Sequence, residues 1–145
     1  MPSLGGIKSM IDPLGVIIQY LKAANLSTRQ IAEKERYGDA WQPGSASLVV
    51  RLDGGTPDPY LPLQELRFEV RCYGADSPEA IGLYGEIVEL ARVTDREMVI
   101  VGSQIGLLYW LILDAAPTSS YDPDLNQDFV LVFLRAKIAE QNLGE

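Results

Sequence analysis

The sequence predicts an α+β domain, a mainly antiparallel sheet with two helices, at about residues 12–25 and 77–92, packed on one face. Three observations lead there. QELRFEVRCYG alternates strictly, with Leu66, Phe68, Val70 and Cys72 on one side and Glu65, Arg67, Glu69 and Arg71 on the other, the period of a half-covered strand. Two stretches open on helix-start signals and continue with apolar residues at helical spacing. The order helix, strands, helix, strands then suits a sheet with its helices gathered on one side.

Along the chain, MPSLGGIKSM carries two glycines and a proline before any periodic pattern, so a single domain over 1–145 is expected, with residues 1–11 as its flexible N-terminal arm. Asp12-Pro13 offers an N-cap and a proline in the first turn, and Leu14, Ile17, Ile18 and Leu21 follow at helical spacing to about Ala24 or Asn25. Residues 26–44 are polar, with a strand expected around Gln30 to Arg36. SASLVVRLD, residues 45–53, has the β-branched content of a strand, which Gly54-Gly55 interrupts. Its partner is the alternating strand, whose apolar side is a core face and whose charged side is exposed. A one-residue slip would turn every side chain to the wrong face, so the register is well specified.

Ser77-Pro78-Glu79 supplies an N-cap hydroxyl, an early proline and an acid at the positive end of a second helix. Ala80, Ile81, Tyr84, Ile87, Val88 and Ala91 form its apolar stripe. A short strand at Glu97 to Val101 and two apolar runs, GLLYWLILDAA and DFVLVFLRAKIA, complete the chain. The runs read as an antiparallel pair because PTSSYDPDLNQ between them is rich in turn residues and too short for a crossover helix. In the first run, either Leu107, Tyr109, Leu111 and Leu113 or Leu108, Trp110 and Ile112 face outward. Both sets are too apolar for free solvent, which calls for helices or another chain over that face.

Composition narrows the function. The 145 residues fit one core, and 12 Lys and Arg against 20 Asp and Glu give a net charge of −8. That field repels phosphate backbones and argues against sequence-specific nucleic-acid binding. An acidic chain can still line a passage through which DNA slides without sticking. Histidine is absent, which removes the commonest general base and zinc ligand. Cys72 stands alone, so no internal disulfide forms, and a reducing cytoplasm is the expected compartment. No apolar run reaches the roughly 18 residues of a membrane span and no cleavable signal is evident, so no membrane partner is expected.

No constellation points to catalysis, a metal or a cofactor. RLDGGTPD lacks the spacing of a phosphate cradle and leads into a strand instead of a helix, which favours a hairpin loop. Asp53, Asp58, two glycines and three prolines (Pro57, Pro59, Pro62) nevertheless make it a long polar projection, the kind of segment that carries binding. DPDLNQD sets Asp122, Asp124, Asn126 and Asp128 at alternate positions, as a calcium loop begins. Gln127 and Phe133 then occupy the places of the turn glycine and the bidentate glutamate, so a solvated hairpin turn is preferred. Glu65 and Glu69 interleave with Arg67 and Arg71, which suits cross-strand or cross-subunit ion pairing better than acid–base chemistry. Cys72, on the apolar face with no histidine to activate it, reads as a small core residue.

Taken together, DPLGVIIQYLKAA, VVRLDGG with its proline-containing loop, LQELRFEVRCYGADSPEAIGLYGEIVELAR, and the closing pair GLLYWLILDAAP and DFVLVFLRAKI resemble the tail terminator, or tail-completion, proteins of long-tailed bacteriophages of the lambda type. The likeness spans nearly the whole chain. It implies a structural virion protein without an active site, a homo-hexameric ring that caps the tail tube, ends its polymerisation and forms the joint to the head connector. The implied partners are other copies of the chain, the tail tube protein and the head-tail connector protein, with DNA only passing through the lumen. The implied location is the tail or neck of the virion, after assembly in the host cytoplasm. Candidate subunit or lumen contacts are Asp53, Gly54, Gly55 and Asp58 in the loop and Arg67, Glu69 and Arg71 on the charged strand face. Alternatives are a neck or head-completion protein of the same virion, or a small cytoplasmic ligand-binding or enzymatic α+β domain.

Overall fold

The computed structural model describes residues 11–28, 30–33, 44–57 and 63–141. It is α+β, with two helices and one mixed sheet of seven strands. The elements run α1 (Pro13–Ala23), β1 (Gln30–Glu33), β2 (Ser47–Pro57), β3 (Leu63–Gly74), α2 (Ser77–Val93), β4 (Glu97–Val101), β5 (Gln104–Leu113), β6 (Thr118–Asp122) and β7 (Gln127–Gln141). The strand order is β1-β2-β3-β7-β5-β4, and β6 also pairs with β7. β1 lies parallel to β2, and the other ladders are antiparallel.

Local chemistry sets the helix ends. Asp12 caps α1, its carboxylate accepting from the Leu14 N–H at 3.1 Å, and Pro13 follows in the first turn. Replacing this cap by alanine is expected to cost about 1 kcal/mol, read as a lower midpoint in urea with an unchanged slope. The cap of α2 is Asp76, one residue before the expected Ser77. Its carboxylate accepts from the Glu79 N–H at 2.9 Å, while Glu79 reaches back to the Ala75 N–H at 2.8 Å. That reciprocal pair satisfies two donors, and the Ser77 hydroxyl loses the competition. At the far end, the Thr94 hydroxyl donates to the Leu90 carbonyl and shares a 2.7 Å hydrogen bond with Tyr20 of α1, tying the two helices together.

One apolar cluster joins both helices to the sheet. It takes Val16, Ile17 and Leu21 from α1, Ala80, Leu83 and Ile87 from α2, alternate residues of β2, β3 and β7, and Leu108 and Leu111 from β5. Leu66, Phe68, Val70 and Cys72 all lie in it, as their alternation requires. Burial pushes the Cys72 thiol up to about 12, so it is an inert core group. In α2 the buried stripe runs through Leu83, while Ile81 is 50% exposed, a correction to the expected stripe. Ile11 is buried against the same core, so the arm does not extend to residue 11. Residues 1–10 lie outside the described residues, as do 34–36 at the end of the strand expected from Gln30.

Two β-bulges correct the sequence reading. Gly54-Gly55 does not end β2, because the strand continues to Pro57 and the register against β3 shifts between Leu52 and Gly55. In β5 the register shifts between Leu108 and Trp110. Leu108 and Leu111 therefore both reach the core, Tyr109 and Trp110 share the other face, and neither alternation expected for this run holds. The polar connector also forms more structure than expected. β6 continues β5 along the same edge of β7, and residues 123–126 make the hairpin turn.

Candidate interaction face

Both helices contact the core face of the sheet, so the odd-numbered residues of β3 and β7 form the opposite face. That face is not a plain row of solvated charges. Glu69 sits on a central strand between β2 and β7 and is only 6% exposed, against the expectation of an exposed charged strand. Its carboxylate accepts from Arg51 Nη2 across the ladder at 2.7 Å and from Arg71 Nε along its own strand at 3.0 Å. Burial pushes the Glu69 pKa up, but the two guanidiniums more than offset that and hold it below its ordinary value of 4.5.

From this anchor the charges continue in both directions. Arg71 Nη1 donates to the Tyr73 hydroxyl at 3.4 Å, and that hydroxyl donates to Asp122 Oδ2 at 2.7 Å. Asp122 also accepts from the N–H groups of Asp124 and Leu125, so the resemblance of this turn to a calcium loop has a different cause: the carboxylate caps the hairpin. On the other side Arg51 lies 3.7 Å from Asp53, and Asp53 lies 3.7 Å from Arg67. Arg67 Nε approaches Asp114 to 3.0 Å, though at an angle that makes an ion pair without an aligned hydrogen bond. Asp114 in turn accepts from Arg135 Nε at 3.3 Å, and Arg135 reaches Glu65 at 3.9 Å.

Aromatic rings of β7 and β5 lie under these cations. Arg67 stacks 4.2 Å from the centre of the Phe133 ring, Arg71 4.9 Å from Phe129, and the Lys137 ammonium 5.7 Å from Tyr109. Tyr73 and Phe129 pack at a tilt in a small second apolar cluster with Val49, on the same face. Toward β5 and β4 the face turns apolar, ending in exposed Ile112, Met98 and Ile100. Arginine interleaved with aromatic rings, beside an apolar patch, is the composition of a protein–protein contact surface.

Of the sequence candidates, Asp53, Arg67, Glu69 and Arg71 meet in this one network. Gly54 shares the bulge with Asp53, Gly55 resumes the ladder opposite Leu66, and Asp58 lies outside the described residues. Sequence reasoning misses Arg51, Tyr73, Asp114 and Arg135, and it singles out Asp122 for a calcium-like turn and not for this face. The alternation of Phe129, Leu131, Phe133, Arg135 and Lys137 in the last strand was the available signal for its part. Among the described residues no group of three or more carboxylates or cysteines is gathered to hold a metal ion. No helix of the described residues is long and apolar enough to cross a membrane.

Tyr73 gives the network an alkaline limit. Burial raises its pKa, and the adjacent Asp122 carboxylate adds to the rise against the opposing pull of Arg71. A raised folded value means the Tyr73 contribution is whole below pH 10, the ordinary tyrosine value, and is lost as pH climbs through the raised one. Tyr73→Phe is expected to cost about 1–2 kcal/mol at neutral pH. The difference from wild type should shrink in strong alkali, which paired denaturation curves followed by phenolate absorbance would reveal. No protein-family model matches this sequence, and no curated protein is significantly similar to it.

Proposed function

We propose that the chain is a structural virion protein that caps a phage tail tube as a hexameric ring, ends tube polymerisation and forms the joint to the head connector. The observation that carries this reading is the sheet face opposite both described helices, where arginines, aromatic rings and an exposed apolar end make one continuous surface. A monomer has no use for such a surface, whereas a ring needs two unlike contact patches on every subunit. The charged half over β2, β3 and β7 and the apolar half over β5 and β4 are two such patches. The net charge of −8 suits a lumen that lets DNA pass without holding it.

The groups on the face are mutually paired, which favours assembly over chemistry. Glu69 is held ionised between two arginines and Asp122 is saturated by Tyr73 and backbone donors, so neither is poised as an acid or base. Incubating the purified chain with tail tubes tests the proposal. Sixfold density at one tube end by negative stain, with tube growth halted, is the expected result. Tubes that keep elongating without bound protein, together with a melting shift produced by a small molecule, would overturn it.

A further inference from the structure

Among the described residues β4 ends the sheet, with β5 as its one neighbour. The turn between them determines which of its backbone groups are free. A two-residue hairpin closes on a hydrogen-bonded pair, here Val101 opposite Gln104, with Gly102 at φ +60 in the first turn position. Counting back by twos, Val99 and Glu97 also bond to β5, so the N–H and C=O groups of Met98 and Ile100 point away from it. These residues also carry the most exposed apolar side chains of the strand, at 63% and 68%. β4 carries one charged residue, Glu97 at its start, and no proline, lysine or bulge to blunt the edge at Met98 and Ile100.

We infer that the free edge of β4 pairs antiparallel with β4 of a second copy about a twofold axis at Val99. The register follows from the backbone. The Arg96 N–H is already committed to the Tyr109 carbonyl at 3.1 Å, which leaves Met98 and Ile100 as the β4 residues whose N–H and C=O groups have no partner among the described residues. Setting Met98 opposite the partner's Ile100 is the arrangement in which every one of those groups finds a partner, and it covers both apolar side chains with each other. It also faces Arg96 and Asp95 with the partner's Gly102 and Ser103, so no like charges meet across the axis. A strand whose own residues complete it in this way selects a copy of itself over a foreign peptide.

This contact is isologous, whereas a ring closes through unlike patches, so the inference does not rest on the tail reading. It describes the free chain in solution. Sedimentation velocity of the full chain over a concentration series should show a dimer, and Ile100→Lys should weaken it by at least about tenfold while far-ultraviolet dichroism and cooperative melting are kept. Val99→Cys supplies a second measurement. Antiparallel pairing at Val99 brings the two Cα atoms to about 4.5 Å, within disulfide reach, so oxidation should yield a covalent dimer. Cys72, fully buried, does not compete. A monomer at every concentration, a dimer indifferent to Ile100→Lys, or no cross-link at residue 99 would overturn the inference. If wild type dimerises in this way yet fails to cap tubes, only the tail reading falls.

Discussion

Replacing Glu69 with alanine is expected to lower the unfolding free energy by about 2–4 kcal/mol, because it removes the acceptor shared by two arginines on a central strand. The loss falls short of the roughly 3–5 kcal/mol seen when both partners are buried, since 45% of the Arg51 side chain is exposed and its stranded charge regains water. Arg51→Ala alone should cost less, about 1 kcal/mol, and a double-mutant cycle between the two should show coupling of similar size. pH supplies an independent check. The folded Glu69 pKa lies below the ordinary 4.5, so its contribution is whole above that value and is lost as pH falls through the lowered one. Wild type and Glu69→Ala should therefore converge in acid and diverge toward neutrality in chemical denaturation. Parallel curves at all pH values would mean that the carboxylate is not the keystone of this face.

The same residue shows how far the sequence could be read. Alternation in β3 placed Glu69 opposite the core correctly, because period two is a local property of the backbone. Its burial is not local. It follows from Arg51 across one ladder and from the rings of β7 on the other side, partners about 20 and 60 residues away in sequence. The capping of α2 missed by one residue for a related reason: Asp76 and Ser77 can both cap, and the choice depends on where Glu79 reaches back. β6 left no trace in TSSYD, a polar stretch made into a strand only by the waiting edge of β7. The parallel placement of β1 on β2 likewise belongs to long-range topology. Helices, core face and charged strand were legible; the bulges, edges and buried charges required the neighbours.

Gly55→Ala should be the most damaging small substitution in the region the sequence marked as a loop, costing about 3–4 kcal/mol, while Gly54→Ala costs about 1–2. Between Leu52 opposite Phe68 and Gly55 opposite Leu66, β2 spends two residues, Asp53 and Gly54, against the single Arg67. That extra residue lets Asp53 stay on the arginine face while Gly55 returns to the core side. Both glycines hold positive φ, +98 and +133, so an alanine at either is strained. They differ in what the new methyl meets. At Gly54 it enters open space, but at Gly55 it lies 2.5 Å from the Glu65 carbonyl oxygen and the Leu66 Cα, both backbone atoms of the paired strand. A side chain could turn aside; a ladder cannot, so β2 must separate from β3 just where Asp53 meets Arg67. Hydrogen exchange should accordingly show faster opening of residues 52–57 and 64–68 in Gly55→Ala than in Gly54→Ala. Equal melting temperatures and equal exchange for the two variants would place the bulge elsewhere, and with it the Asp53 end of the charged network.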